Sequence, residues 1–294
     1  MKLNTELIAD THAGLDLLPT PELARAFLAD QLIAVQAALA AADQVAAAID
    51  AAVPRLRAGG RLLYFGAGTS GRLALLDSVE LVPTFSWPAE RAVASLAGGP
   101  GAVHKAVEGA EDSEALAEQD LRALQPTPND VVISVAASGR TPYAIAALRE
   151  GQRAGALTIA LVNNPGSVMI PLADVAIVID TGPEVIAGST RLKAGTAQKI
   201  VLNTLSSGIM VKLEKVYGNL MVDVRATNEK LVQRAIGLVA RVAEAPPAQA
   251  EAALRAAGLE VKTAIVALKC GLDVAQARAR LAQVDGSVRR ALGA

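Results

Sequence analysis

Apolar residues recur with helical spacing from Thr20 to about Leu56, and the pattern then changes to short, nearly continuous apolar runs. Thr20-Pro21-Glu22 opens the first region with a hydroxyl, a proline and an acid, the signature of a helix start. Pro54 predicts a kink or restart, and Gly59-Gly60 a stop. Windows 61–65, 91–96, 131–136, 157–162 and 175–179 read as strands. Between them, windows 72–82, 102–108, 113–124 and 143–154 read as helices. Strands that alternate with helices pair in parallel through crossovers, and apolar runs without alternation mean that both sheet faces are covered. The expected fold class is therefore α/β: a doubly wound, parallel, five-stranded sheet. A longer helix is expected over 192–214. After Asp223 the pattern is helical throughout, at 228–243, 247–257, 260–269 and 273–283, with Gly258, Gly271 and Gly286 as punctuation. This predicts an N-terminal helical segment (1–54), a sheet domain (55–218) and a small C-terminal helical bundle (219–294).

Composition removes several classes of function. One cysteine, Cys270, excludes an internal disulfide framework, and two histidines, His12 and His104, argue against a histidine-rich metal site. No metal and no cofactor is expected. Lys and Arg number 28 against 29 Asp and Glu, so there is no basic field for nucleic acid, and 2% aromatics leave no stacking platform. The alanine-rich stretch 37–52 is broken by Asp43, Gln44 and Asp50, and no run of about 20 uninterrupted apolar residues suggests a membrane span. MKLNTELIAD lacks the basic and apolar regions of a signal peptide, so a cytoplasmic location is expected.

Two loops carry the candidate chemistry. Gly66-Ala67-Gly68-Thr69-Ser70-Gly71 follows the first predicted strand and opens a helix. Ala137-Ser138-Gly139-Arg140-Thr141-Pro142 does the same after the third. Glycines let the backbone approach an anion, and a helix start supplies N–H donors and partial positive charge. Gly68, Thr69, Ser70, Ser138, Gly139, Arg140 and Thr141 are thus candidate phosphate contacts. The first loop also satisfies G-x-G-x-x-G, but a dinucleotide site needs an acid at the end of the second strand. Here that strand ends in Ser95-Leu96-Ala97-Gly98-Gly99, so the phosphate cradle is the better reading.

The stretches YFGAGTSGRLALLDSVELVPTF, HKAVEGAEDS, DVVISVAASGRTPY, GSTRLKAGTAQKIVLN and KVYGNLMVDVRATNEK cover most of residues 60–230. With its paired loops, the chain resembles a sugar isomerase (SIS) domain and, more narrowly, the N-acetylmuramic acid 6-phosphate etherase family. The resemblance implies a sugar-phosphate substrate, a lyase reaction on a lactyl ether in cell-wall recycling, and a homodimer. It carries two acidic positions over to Glu80 and Glu111, with Glu108 orienting the sugar. Glu80 is expected in the last turn of a helix that Pro83 ends, where the dipole favours a protonated acid. Glu111 is expected just before the helix at 113, where the dipole favours a carboxylate base. Arg191 and Lys193 are candidates for the lactyl carboxylate or the phosphate, or form a solvated basic helix start. His104 is expected in a helix and is a weaker candidate for ring opening. Trp87 reads as a loop anchor rather than a sugar platform, and Cys270 as a packing residue. A sugar-phosphate-binding regulator and an aldose–ketose isomerase are the competing functions.

Overall fold

The computed structural model describes residues 3–105, 107–224 and 229–293, in two compact units. Met1–Val79 with Ala89–Ser207 forms the first, and Glu80–Pro88 with Gly208–Ala294 the second.

In the first unit, strands β1 (Leu62–Gly66), β2 (Ala92–Leu96), β3 (Val131–Ala136), β4 (Leu157–Val162) and β5 (Val175–Val178) form one sheet in the order β2-β1-β3-β4-β5. Every pairing is parallel. Residues of β1, β3 and β4 are buried throughout, as expected for strands covered on both faces. Leu63, Phe65 and Val132 pack under α4 (Glu114–Ala123) and α5 (Pro142–Arg153) in one apolar cluster. Tyr64 points the other way, and its hydroxyl donates to Asp77 of α3 (Gly68–Phe85) at 3.0 Å. Asn203 and Ser206 of α6 (Lys193–Lys212) donate to the second oxygen of the same carboxylate. Burial pushes Asp77 above the usual carboxylate range despite these donors.

The N-terminal region departs from expectation in one respect. Its two helices, α1 (Thr20–Ala40) and α2 (Ala42–Arg57), break at Ala41, whereas Pro54 is accommodated inside α2. Helix α1 is long and apolar enough, by length and composition alone, to cross a membrane. Its buried Asp30, however, is ion-paired at 2.8 Å with Lys193 of the same unit. A stripe of Leu28, Leu32, Val35 and Leu39 on α1 is exposed.

The second unit holds a hairpin, β6 (Val216–Tyr217) and β7 (Leu220–Met221), and helices α7 (Glu229–Ala243), α8 (Pro247–Ala256), α9 (Val261–Cys270), α10 (Val274–Ala282) and α11 (Val288–Ala291). Val239, Leu254, Ile265 and Leu281 form its core, against which Cys270 packs. Asp273 and Gln276 close a capping box on α10. The hairpin turns at Gly218, whose φ of 59° accounts for the YGN of the matching stretch. Arg225, Ala226, Thr227 and Asn228 of that stretch, and Ala106 of HKAVEGAEDS, lie outside the described residues.

Candidate functional site

The strand order reverses direction at β1 and β3, which are neighbours, and the two glycine–hydroxyl loops follow these two strands. Ligands of open parallel sheets bind at this position. In the first loop, Gly68 has φ 54° and the Gly71 amide donates to the Ala67 carbonyl at 3.0 Å. A Cβ on Gly71 would lie 2.6 Å from the Gly66 carbonyl oxygen, so only glycine permits this close turn. Ser70 is buried and Thr69 half-buried, and among the described residues neither hydroxyl has a protein partner. Both sit in the first turn of α3, where the backbone N–H groups have no helical acceptor.

The second loop is built from the same physics. Gly139 has φ 63°, and a Cβ there would strike Ser167, whose hydroxyl donates to the Gly139 carbonyl at 3.0 Å. The Ser138 hydroxyl accepts the Arg140 N–H at 3.1 Å, which leaves its own proton to donate. Thr141 is the N-cap of α5 without a side-chain cap bond, and Pro142 follows it. Asn164, after β4, donates to the Ala137 carbonyl at 2.8 Å and to the Thr5 hydroxyl at 3.0 Å. Thr5 is fully buried, so the extreme N-terminal segment braces this loop. Asn164, Ser167 and Thr5 were not singled out from the sequence. Their roles depend on partners across the chain, and only the buried polar side chains of the structure reveal them.

A third loop follows β2, the other neighbour of β1. The described residues of window 102–108 do not form the expected helix. Pro100–Val103 forms a single 3-10 turn, because Gly98 and Gly99 at φ 90° and 69° precede it and Gly109 at φ 72° follows. His104 is exposed at the end of that turn. Glu108 is exposed, and Glu111 is exposed on a second 3-10 turn, Ala110–Asp112. Ser113 then caps α4, its hydroxyl accepting the Leu116 N–H at 3.2 Å, so Glu111 does precede a helix start. Behind this loop the Tyr143 hydroxyl donates to Asp120 at 2.6 Å and the Ser95 hydroxyl to the same oxygen at 3.1 Å. That network ties the end of β2 to α4 and α5. Burial pushes the Tyr143 phenol well up, with Asp120 adding to the effect.

Three expectations need correction. Helix α3 does not end before Pro83 but continues to Phe85, so Glu80 is outside its last turn and gains little from the dipole. Glu80 is also exposed. Lys193 is not a solvated cation: its side chain is 3% exposed and bound to Asp30, while its amide and that of Ala194 donate to the buried Glu184. Of the basic pair, Arg191 is the exposed one. Trp87 is 3% exposed with the Lys215 ammonium 5.9 Å from its ring centre, as an anchor would be.

Three family models match the chain: the glucokinase regulatory protein N-terminal SIS domain over residues 44–151, the SIS domain over 105–207, and the C-terminal lid domain of glucokinase regulatory protein over 218–262. An N-acetylmuramic acid 6-phosphate etherase of Deinococcus radiodurans is 56% identical over 98% of this chain and 95% of its own length. The chain belongs to the N-acetylmuramic acid 6-phosphate etherase family. Etherases of this family from Salmonella typhimurium (50% identical over 99% of both chains) and Enterococcus faecalis (49% over 99% of this chain and 97% of that one) match equally broadly. Among solved structures, a phosphoheptose isomerase from Neisseria gonorrhoeae aligns over 65% of this chain and 98% of its own, with TM-score 0.50 and 15% identity. That likeness supports the fold of the sheet unit alone.

Proposed function

We infer that the protein is a lyase that cleaves the D-lactyl ether of N-acetylmuramic acid 6-phosphate, giving N-acetylglucosamine 6-phosphate and D-lactate with uptake of one water. The observation that carries this reading is the pair of glycine–hydroxyl loops at the reversal point of the sheet, in a chain of the etherase family. The loops contain no lysine, so Thr69, Ser70, Ser138, Thr141 and the backbone N–H groups of Gly68 and Gly139 hold the phosphate, with Arg140 beside them. Opening of the sugar ring exposes an aldehyde that acidifies the C2 proton. Glu111 takes that proton, and Glu80 protonates the C3 ether oxygen as lactate departs; water then adds to the unsaturated aldehyde. Support for Glu111 as base comes from its place just before the capped start of α4. Glu80 takes the acid role from its matching position in DSVELVPT. Glu108 orients the sugar, and Arg191, rather than the paired Lys193, meets the lactyl carboxylate.

The working form is a cytoplasmic homodimer with a site completed near the subunit boundary. Leu28, Leu32, Val35 and Leu39 recur at helical spacing, and Val35 and Leu39 line a groove of about 350 Å³ with Val45, Ile49 and Ile200. On α6, Val201, Leu205 and Ile209 are buried within the chain, and Ile200 lines that groove. Light scattering should give twice the 30.1 kDa of one chain. A monomer at micromolar concentration contradicts the dimer. Incubation with the muramic acid phosphate and assay of free lactate tests the reaction itself. Release of lactate is expected; an isomerised sugar phosphate without lactate, or binding without turnover, would overturn it.

A further inference from the structure

We propose that Arg72 is a positioning residue that sets the Glu111-bearing loop against the first phosphate loop; this rests on the reaction inferred above. Arg72 stands in α3 directly after Ser70-Gly71 and is half-buried. Its Nη2 donates to the Ala102 carbonyl at 2.8 Å and its Nε to the Val103 carbonyl at 3.2 Å. Those two carbonyls are the last of the 3-10 turn Pro100–Val103, so a single guanidinium grips the loop at the end of that turn. Much of the loop's other bonding is local. The amides of Ala102, His104, Asp112 and Ser113 each reach back three residues, which shapes the turns locally, while Ala110 packs against the apolar cluster under α4 and α5. Three glycines at positive φ, Gly98, Gly99 and Gly109, flank the turns between β2 and α4.

Two other contacts locate the loop's start. The Ala97 amide donates to the Gly66 carbonyl at 3.0 Å, and Gly98 lies so close to Val107 that a Cβ would approach the Val107 Cβ to 2.8 Å. Arg72 supplies the next anchor along the chain, and it grows from the helix whose first turn faces the phosphate. Its planar fork matches two neighbouring carbonyls, which the point charge of lysine does not. Arg72 therefore couples the seat of the phosphate to the seat of the base.

Arg72→Lys and Arg72→Gln in the full-length chain test this. Both should lower kcat by about 10- to 100-fold, the order expected when a reacting group is displaced by about 1 Å, with KM changed little. Exchange of the substrate's C2 proton with heavy water should fall in parallel, and the amides of residues 99–105 should exchange faster. Gly98→Ala, which disturbs the same loop without touching the guanidinium, should reproduce the kcat loss and serves if the Arg72 variants fold poorly. A raised KM with normal kcat, restored by Arg72→Lys, would make Arg72 a phosphate-binding charge and overturn the proposal. So would unchanged kinetics and unchanged amide exchange. Absence of lactate release by the unaltered protein would instead refute the reaction, and amide exchange would still report whether Arg72 holds the loop.

Discussion

At the amino edge of the five-stranded sheet, side chains that could hydrogen-bond are spent on one another; at the carboxyl edge, beside the bonded Ser95, Asn164 and Ser167, several hydroxyls of the two glycine loops are held open. Buried Asp130, just before β3, accepts from the Arg61 amide at 2.8 Å, from the Arg61 guanidinium at 2.7 and 3.0 Å, and from Thr127. Thr158 and Asp174 close a similar pair at the starts of β4 and β5, and Arg91 binds the Leu56 and Gly60 carbonyls below β2. At the other edge the hydroxyls of Thr69, Ser70 and Thr141 have no protein partner among the described residues, and α5 starts without a side-chain cap bond. The same residue types serve stability at one edge and, in the function proposed above, ligand binding at the other. What differs is whether a partner is built in.

The largest effect is expected where the carboxyl edge depends on backbone contact. Gly71→Ala should cost about 3 kcal/mol or more, because the Gly66 carbonyl that the new Cβ meets is backbone and cannot swing away. Thermal melting and kcat/KM should fall together, and a variant of normal activity would show that the close turn is dispensable.

Asp130→Asn comes next and breaks the comparison from the other side. It should lower stability by about 2–3 kcal/mol, since it removes a charge paired with Arg61 and puts an N–H donor among donors. Activity per folded molecule should be unchanged. Burial alone would raise the Asp130 carboxyl, but the Arg61 and Thr127 bonds outweigh it and hold it below its ordinary value. A depressed carboxyl contributes stability above its unfolded value and loses it as pH falls through the folded one. The Asp130→Asn difference in denaturant midpoint should therefore be full at neutral pH and shrink in acid; a constant difference would contradict the assignment.

Smaller again are Ser70→Ala and Ser138→Ala, each expected to raise KM by a lost charge-assisted hydrogen bond of about 1.5–3 kcal/mol. Melting should change little for Ser70, and slightly more for Ser138, which also accepts the Arg140 N–H. Unchanged KM in both variants would place the phosphate elsewhere.

Strands were the most legible part of the chain. The predicted bounds of β3 and β4 match the structure, because runs such as VVISVA and LTIALV are apolar enough to be read without partners. The break at Ala41 was illegible, because alanine is the strongest helix former and no glycine, proline or capping side chain marks the end there. Helix 102–108 was misread because its apolar spacing outweighed the flanking glycines. The two-residue strands of the hairpin and the short helix α11 fall below the length at which periodicity is readable. Among site residues, the glycine–hydroxyl loops were visible as local motifs. Arg72, Asn164 and Thr5 were not, since a side chain's distant partner leaves no trace in spacing.

The division of labour between Glu111 and Glu80 is the centre of this account, and one experiment addresses it. Exchange of the substrate's C2 proton is followed by proton NMR in heavy water while lactate is assayed in the same samples. Glu111→Gln should lose both signals. Glu80→Gln should keep exchange while lactate release falls by about 10²–10⁴-fold, the usual share of one general acid. Exchange that survives in the Glu111 variant and vanishes in the Glu80 variant would contradict the account and reverse the two roles.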